Sequence, residues 1–292
     1  MDPRSHTTPQ HFCFVMLAIL LLTQACDSSE AASTPPESSV VNGSLNLASW
    51  DPERDGEIQL EGDWKFEWHT FLEPAEVSEQ FAQLKTTLEV PGLWRESGYP
   101  LHGYGTYALR VSELPNDSLS LTMQRITSAA TLYVFDEIRE TTIKVEYGTP
   151  STEAKTEVPV SNLVRTIELR NLGQRDGKAS VLFVMHVSNF HHARGGTKAG
   201  LSIDTIRQAS RFAFQTTLRS QLLLGALLIL SLYHFVAFCL NTSRPAQLYF
   251  AFFCFFMGSR EFSLSGMTEL LGIEATHAVF SALYKVEYAS VP

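Results

Sequence analysis

The polar part of this sequence contains no cysteine: none of the four lies between Asp27 and Phe238. They stand instead in apolar runs near the two ends of the chain, at Cys13, Cys26, Cys239 and Cys254. A domain built from the intervening residues therefore has no disulfide framework and no thiolate metal site. Such a domain must be stabilised by its own hydrophobic core, and its length makes that feasible.

Clusters of lysine and arginine are also missing. The 292 residues carry a formal net charge of -9, whereas a phosphate-binding surface needs grouped positive charges. We therefore expect no nucleic-acid partner. A glycine-rich phosphate loop, a kinase-type histidine and a paired acidic cyclase motif are absent as well, so we expect no enzyme activity, no cofactor and no metal site.

The first 26 residues have the pattern of an export signal. Arg4 precedes an apolar core at 12–22 that is too short for a comfortable membrane span, and small residues follow as far as Cys26. The segment also resembles a bacterial lipoprotein signal, in which this cysteine is acylated and becomes the new N-terminus. Cleavage after Ala25 without lipidation and an uncleaved anchor are the alternatives. In lipoproteins of this kind, an aspartate such as Asp27 implies retention in the inner membrane.

Residues 27–48 are rich in Ser, Ala, Pro and Glu and show no periodicity. A segment of this composition cannot bury enough apolar surface to offset the entropy lost on ordering. The sequence therefore predicts a flexible linker between the signal and the next domain.

Residues 49–203 have the pattern of an all-β domain. Short runs rich in β-branched and aromatic residues are bounded by Gly, Pro, Asn or Asp, and no long amphipathic helix interrupts them. Turn signals stand at 116–117, 148–150 and 175–177. Several short strands at this spacing predict an antiparallel sandwich. The predicted strands are 58–71, 105–111, 119–123, 130–135, 140–147, 163–169 and 180–188.

Aromatic residues are concentrated near the start of this domain, in motifs at 60–68, 90–94 and 103–110. Trp64, Phe66 and Trp68 alternate on one face of a strand, which favours a place in the core. Gly62 permits a kink before that strand.

Trp94 and Tyr104 stand in a more loop-like context. There an aromatic ring can stack against a sugar or another small ligand, and a core position is the alternative for both. Trp68 and Arg194 complete the set of candidate ligand-binding residues.

In their order along the chain, the three aromatic motifs resemble the galactose-binding-like jelly roll of β-galactosidase-type glycosidases. There a strand with leucine, glycine, tryptophan and phenylalanine at alternating positions precedes a valine–proline–glycine turn and then a strand that starts with glycine. The resemblance implies a jelly-roll sandwich. It implies a carbohydrate or other small-molecule ligand only by analogy, because fold does not fix function.

Two adjacent histidines, His191 and His192, stand near the end of the domain. On a strand they would point to opposite faces and could not readily bind one metal ion together. No carboxylate or cysteine stands at a supporting spacing, so we expect no metal site here. We expect Asn189, His191 and Arg194 to form hydrogen bonds with loop backbone instead.

The C-terminal part of the chain, 204–292, is predominantly apolar. Residues 220–240 carry no charge and match the length of about 20 residues that a helix needs to cross a bilayer core of about 30 Å. Spans are predicted at 219–240, 246–264 and 276–292, with the lipid bilayer as a partner. A helix capped by Ser202 or Asp204 and starting near Thr205 would lead into the first span.

Motifs in this part resemble the first three helices of bacterial seven-transmembrane receptors with diverse intracellular signalling modules. They lie at 233–234, 247–253, 259–261 and 283–288, and residues 189–196 resemble a segment of one common ectodomain of that family. The resemblance extends from about Trp50 to Pro292. It implies seven helices and a cytoplasmic effector, whereas we expect this chain to stop inside the third helix, without an effector, as a truncated or fragmentary product.

Together these features predict an extracytoplasmic ligand-sensing domain on the first helices of a receptor bundle in the bacterial inner membrane. The alternative is a membrane-tethered carbohydrate-binding protein without signalling, which does not need several helices. A sugar-binding domain left from a glycosidase is disfavoured, because the two catalytic carboxylates usually stand on a separate barrel and no barrel-sized region exists.

Overall fold

A mostly β-sheet domain followed by two helices makes up the computed structural model of the chain. The structure describes residues 40–264 except 116–117, 124–125, 127, 158–164, 170–171, 176–177, 193 and 198–199. Several predictions lie outside the described residues: the signal segment with Cys26, the first part of the linker, the third span, and the turn signals at 116–117 and 176–177.

The β domain consists of short strands joined by turns and two short helices. The strands are β1 (Ser44–Asn46), β2 (Ile58–Gln59), β3 (Gly62–Trp68), β4 (Thr87–Val90), β5 (Gly92–Leu93), β6 (Gly103–Leu114), β7 (Leu119–Met123), β8 (Ala129–Asp136), β9 (Thr141–Tyr147), β10 (Arg165–Leu169), β11 (Gln174–Arg175), β12 (Lys178–Asn189), β13 (Gly196–Thr197) and β14 (Leu201–Thr205). The helices are α1 (Pro52–Asp55) and α2 (Pro74–Gln80), with 3-10 turns at Phe81–Gln83 and Trp94–Ser97.

Two sheets share one hydrophobic core. The larger sheet has the order β4-β3-β6-β12-β8-β9, with β1 parallel to the end of β6 and β11 beside β12. The smaller sheet has the order β10-β7-β14-β2, and β5 pairs with β13. Apart from β1, the paired strands are antiparallel. The prediction of a mostly β domain is confirmed.

Alternation along the strands decides which side chains reach this core. On β6, Tyr107, Leu109 and Val111 belong to the cluster between the sheets, whereas Ala108 belongs to a second cluster on the outer face of the larger sheet. Trp64 and Phe66 are buried between the sheets, as predicted. A fully buried side chain of this size stabilises the fold by roughly 1.5–3 kcal/mol.

Helix α2 and the turn after it cover part of the outer face of the larger sheet. Their apolar side chains form the second cluster with residues of β6, β8 and β12. The cluster comprises Val77, Phe81, Leu84, Ala108, Phe135, Leu182 and Val184. Arg110 and Glu137 form an ion pair of 2.7 Å beside it, and the Arg110 guanidinium lies 4.3 Å from the centre of the Phe81 ring. The larger sheet is therefore covered on both faces here.

The strand predicted at 58–71 is two strands in different sheets. β2 pairs with β14 in the smaller sheet, and β3 pairs with β4 and β6 in the larger one. Gly62 stands at the crossing with φ 128°, and a Cβ there would lie 2.5 Å from the carbonyl oxygen of Val40. The predicted kink at Gly62 is thus required by close backbone approach as well as by its dihedral angle.

The end of the predicted linker belongs to the sandwich. Val40 forms a backbone bridge with Gly62, and β1 pairs with β6. Val40, Leu45 and Leu47 are each at most 4% exposed and belong to the main core. The linker prediction is therefore wrong for residues 40–48, because a composition rule does not register three well-spaced apolar side chains among polar ones.

Strand β14 continues into helix α3 (Ile206–Leu240) without a loop. Thr205, the last residue of the strand, is also the N-cap of the helix, and its hydroxyl accepts a hydrogen bond from the Gln208 amide. The predicted start of the helix near Thr205 is confirmed, but neither Ser202 nor Asp204 is the cap, because both still lie within β14. The Ile206 amide donates to the Ser118 carbonyl, which fixes the first turn to the smaller sheet.

Helix α3 is followed by α4 (Pro245–Leu264), which packs beside it. Leu224 of α3 and Ala251 and Cys254 of α4 are buried, and the Ser231 hydroxyl donates to the Ala251 carbonyl over 2.9 Å. Of the described residues, only Ile206–Leu240 forms a helix that is long and apolar enough to cross a membrane. Helix α4 coincides with the second predicted span but does not meet that criterion.

Candidate functional site

The structure places the predicted ligand residue Trp94 in the core. Its side chain is 0% exposed, and its indole nitrogen donates to the Tyr107 hydroxyl over 2.7 Å. Gly195 lies against the ring, where a Cβ would come within 2.7 Å of it. Because β5 and the following turn bring Trp94 inward, its ring is not available to a ligand from solvent. This corrects the prediction for Trp94 in favour of the core alternative.

Trp68, the second candidate, lies at the margin of the core. It is half-buried and its ring centre lies 4.9 Å from Trp94 and 4.8 Å from His69. Gly103 lies against it, since a Cβ at that position would come within 2.6 Å of the indole. The Trp68 ring therefore packs against the main core.

Arg194 is exposed in the loop after β12. Its backbone amide donates to the ring nitrogen Nδ1 of His192 over 3.0 Å. In the same loop, Asn189 donates to the Leu101 carbonyl and the His191 ring bonds the Ala154 carbonyl over 2.9 Å. The prediction that Asn189 and His191 form hydrogen bonds with loop backbone is confirmed.

Tyr104, the remaining candidate, belongs to a row of rings on the outer face of the larger sheet. Successive ring centres are separated by 5.2 Å (His69 to Tyr104), 5.0 Å (Tyr104 to Phe71), 4.7 Å (Phe71 to His186) and 4.9 Å (His186 to Tyr133). We call these five residues the ring row. His69 is exposed, Phe71, Tyr104 and Tyr133 are half-buried, and His186 is buried. The structure therefore separates Tyr104 from Trp94, which lies on the other side of the sheet.

Hydrogen bonds hold the middle of the ring row in place. The Thr106 hydroxyl donates to the Thr70 carbonyl over 2.8 Å and accepts from the Leu72 amide over 3.0 Å. The His186 ring nitrogen Nε2 lies 2.8 Å from the Leu72 carbonyl oxygen. These bonds flank Phe71 on both sides in the sequence and fix its ring between Tyr104 and His186. Burial lowers the pKa of His186, which favours the neutral imidazole.

A second fixed segment, residues 151–157, flanks the row near Tyr104. Ser188 lies directly opposite Tyr104 in the β6–β12 pair, so their side chains share the outer face. The buried Glu157 carboxylate accepts hydrogen bonds from the Ser188 hydroxyl at 2.6 Å and from the Phe190 amide at 3.0 Å. The Ser151 amide donates to the Ser188 hydroxyl at 3.1 Å. This anchoring brings a polar loop to the edge of the aromatic surface.

Charged groups stand at the opposite end of the row. Tyr133 faces Lys144 across the β8–β9 pair, and Lys144 forms an ion pair of 2.5 Å with Glu146. Partial burial raises the pKa of the Tyr133 hydroxyl; the nearby Lys144 ammonium partly offsets this rise and the Glu73 carboxylate adds to it. A hydroxyl, an ammonium group and carboxylates therefore lie beside half-exposed rings. Apolar ring faces with a few polar groups at their edge are typical of small-molecule sites.

The sequence patterns did not indicate four members of the ring row, His69, Phe71, Tyr133 and His186. The strand pattern contained a weak signal for the last, because His186 and Ser188 are polar residues two positions apart in an apolar strand. Phe71 and Tyr133 could not be found in this way, because their proximity depends on how β3 and β8 are arranged in the sheet. Among the residues that the structure describes, no group of three or more His, Cys, Asp or Glu side chains is placed to hold a metal ion.

Comparison with known proteins gives distant structural similarity alone. No protein-family model matches the chain, and no curated protein matches it. A protein from Bacteroides fragilis assigned as a β-galactosidase is 14% identical over 51% of this chain and 23% of its own, with a TM-score of 0.31. A β-glucosidase from Kluyveromyces marxianus, solved with glucose, is 13% identical over 58% of this chain and 18% of its own, with a TM-score of 0.29.

The carbohydrate-binding module TmCBM61, solved with β-1,4-galactotriose, is 19% identical over 36% of this chain and 62% of its own, with a TM-score of 0.19. The chain spans less than a quarter of the two glycosidases. Similarities this distant do not indicate an activity or a ligand.

Proposed function

We propose that this chain is a membrane-anchored binding protein whose β domain recognises a ligand outside the lipid. The direct continuation of β14 into α3 carries the proposal, because the last strand of the domain and a helix able to cross a membrane are one unbroken segment. The ligand site that we propose is the ring row, where three half-buried aromatic rings lie beside hydroxyl and charged groups.

A carbohydrate is the ligand class that best suits these groups. Pyranose rings present C–H groups on one face, which pack on aromatic rings, and hydroxyls at their edge, which need donors and acceptors. The jelly-roll topology that the three aromatic motifs resemble agrees with this choice by analogy. Binding rather than catalysis is the proposed role.

For the whole protein, we propose the sensing part of a receptor of the seven-transmembrane type, with the β domain on the outer side of a bacterial inner membrane. The motifs at 233–234, 247–253 and 259–261 support this proposal. A ligand that binds two arrangements of the domain differently would shift the position of α3 and so bias the bundle. The second candidate is a tethered carbohydrate-binding protein that does not signal.

The ligand site can be tested with the full chain purified in detergent. We expect one class in a panel of soluble oligosaccharides to bind, and we expect Tyr104→Ala to weaken that binding at least tenfold, because a stacking face is lost. His69→Ala should also weaken binding, whereas His102→Ala, which removes an exposed imidazole outside the row, should not. Full binding by Tyr104→Ala would reject the ring row as the site.

The two candidate functions differ in what the gene must encode after residue 292. A receptor requires further spans and an effector, so the DNA downstream should encode both in the same or the next reading frame. A downstream region without either would favour the tethered binding protein.

A further inference from the structure

Helix α3 is longer than the proposed membrane span requires. The helix has 35 residues, which corresponds to about 50 Å at 1.5 Å per residue. The uncharged run at 220–240 alone covers a hydrocarbon core of about 30 Å. The residues before it therefore stand between the β domain and the hydrocarbon.

Within residues 206–219, only the first turn of the helix contacts the β domain. Ala209 is buried, and Arg207 forms an ion pair of 3.1 Å with Glu53. From residue 210 to residue 219 the side chains are exposed apart from Ala213, which is half-buried. We call residues 210–219 the collar.

The collar combines positive charge with exposed apolar groups. Arg211 and Arg219 are its charged residues, and neither has a carboxylate within ion-pair distance among the described residues. Phe212, Phe214 and Leu218 are 51%, 68% and 42% exposed. No acidic residue occurs anywhere in Ile206–Leu240, so the charge of this helix is positive only.

The two kinds of residue share one side of the helix. Arg211, Phe214 and Leu218 are separated by three and four positions, and this spacing places them on the same face. Arg207 continues that face toward the β domain, where its partner is Glu53. Ala209 marks the opposite, buried side.

A helix with arginines and exposed apolar side chains on one side is better suited to the interface of a membrane than to bulk water or to contact with another protein. The polar layer on each side of a bilayer is about 5–7 Å thick, so Arg219 and the turn before it lie within it when 220–240 fill the hydrocarbon. At about 1.5 Å per residue, Arg211 lies about 13 Å from the hydrocarbon, outside this layer but within a Debye length, about 8–10 Å, of its surface. Arginine with phenylalanine and leucine on one helix is typical of segments that contact lipid head groups. An arginine near an anionic lipid surface gains about 1 kcal/mol.

We propose that the collar is an interaction surface for anionic phospholipid head groups, in which Arg219 contacts the phosphates beside the apolar Leu218 and Arg211 is attracted to the charged surface from just outside the polar layer. The collar would then select the lipids around the first span and fix how far the β domain stands from the surface. This inference rests on the proposed membrane span.

The experiment measures lipid selectivity around the full chain reconstituted in vesicles of phosphatidylcholine with phosphatidylglycerol. Spin-labelled versions of the two lipids report their relative association with the protein. For the native chain we expect phosphatidylglycerol to be preferred by about fivefold for each engaged arginine, which corresponds to about 1 kcal/mol. R211Q/R219Q should reduce the preference to that of a neutral helix, since both side chains are exposed and their loss leaves the fold intact.

Two matched variants separate the possible outcomes. R95Q removes an exposed charge from the β domain and should leave the lipid preference unchanged. R244Q removes the arginine in the turn between α3 and α4, at the other end of the span. A preference that disappears in R244Q but persists in R211Q/R219Q would overturn the proposal, as would equal association of the two lipids with the native chain.

If the helix did not span the membrane at all, the experiment would give a different result. If the native chain did not float with the vesicles, the membrane anchorage in the proposed function would be rejected as well. If it floated and showed no lipid preference, only the collar proposal would be lost.

Discussion

At the scale of single residues, Trp94 and Tyr104 show how one residue class takes two roles. Both are aromatic and both stand near glycine, but the turn after β5 directs Trp94 between the sheets, whereas alternation on β6 directs Tyr104 to the outer face. Local sequence does not distinguish them. The pairing of β5 with β13, which lies about a hundred residues later, decides the position of Trp94.

We therefore expect substitutions of Trp94 to change stability and not ligand contact. Trp94→Ala should lower the free energy of unfolding by about 3–5 kcal/mol, because it leaves a cavity in a closed core. Trp94→Phe should cost less, about 1–2 kcal/mol, mainly through loss of the bond to the Tyr107 hydroxyl. Chemical unfolding of the full chain in detergent, followed by circular dichroism, measures both. Native stability of Trp94→Ala would contradict the buried position.

Two glycines, Gly62 and Gly98, allow the cost of a steric clash to be separated from the cost of an unfavourable backbone dihedral angle. Gly62 and Gly98 both have positive φ, but a Cβ at Gly62 would clash with Val40 and one at Gly98 would meet nothing within 4 Å. Gly98→Ala should cost about 1 kcal/mol through strain alone. Gly62→Ala should cost about 1–3 kcal/mol more, as overpacking does. Equal unfolding midpoints for the two variants would show that β3 relaxes around the added methyl group.

At the scale of elements, strands with regular alternation were predictable and their partners were not. β6, β7, β8, β9 and β12 lie close to the predicted positions, because β-branched and aromatic residues alternate there between clear turn signals. Very short strands such as β5 and β13 have no such pattern, and they are strands only because they pair with each other. The ring row could not be predicted from local sequence either, since it depends on the order of strands in the larger sheet.

The segment 151–157 is an element held by one buried carboxylate. Glu157→Gln keeps one acceptor oxygen but places an amide group beside the donors of Ser188 and Phe190. We expect the free energy of unfolding to fall by about 1–3 kcal/mol and the Phe190 amide to exchange with deuterium faster. The exposed Glu153 supplies the control, and Glu153→Gln should change neither quantity. Unchanged exchange at Phe190 would show that another contact holds the segment.

At the scale of the whole molecule, the boundary between linker and domain is the clearest difference from expectation. Val40, Leu45 and Leu47 close the core from a segment that composition alone assigns to a flexible chain. We expect a version beginning at Ala48 to be less stable than one beginning at Pro36 by more than about 4 kcal/mol, given roughly 1.5–3 kcal/mol for each buried aliphatic side chain. Denaturation midpoints of the two versions in the same detergent provide the measurement. Identical midpoints would show that these residues do not stabilise the domain and act as a linker.

The absence of a loop between β14 and α3 also fixes an angle. A helix turns by about 100° and rises by 1.5 Å for each residue, so a single residue inserted after Thr205 would rotate the ring row by just over a quarter of a turn around the axis of α3 and would change its height by only about 1.5 Å. Insertion or deletion at this junction would thus change the direction in which the ring row faces much more than its distance from the far end of α3.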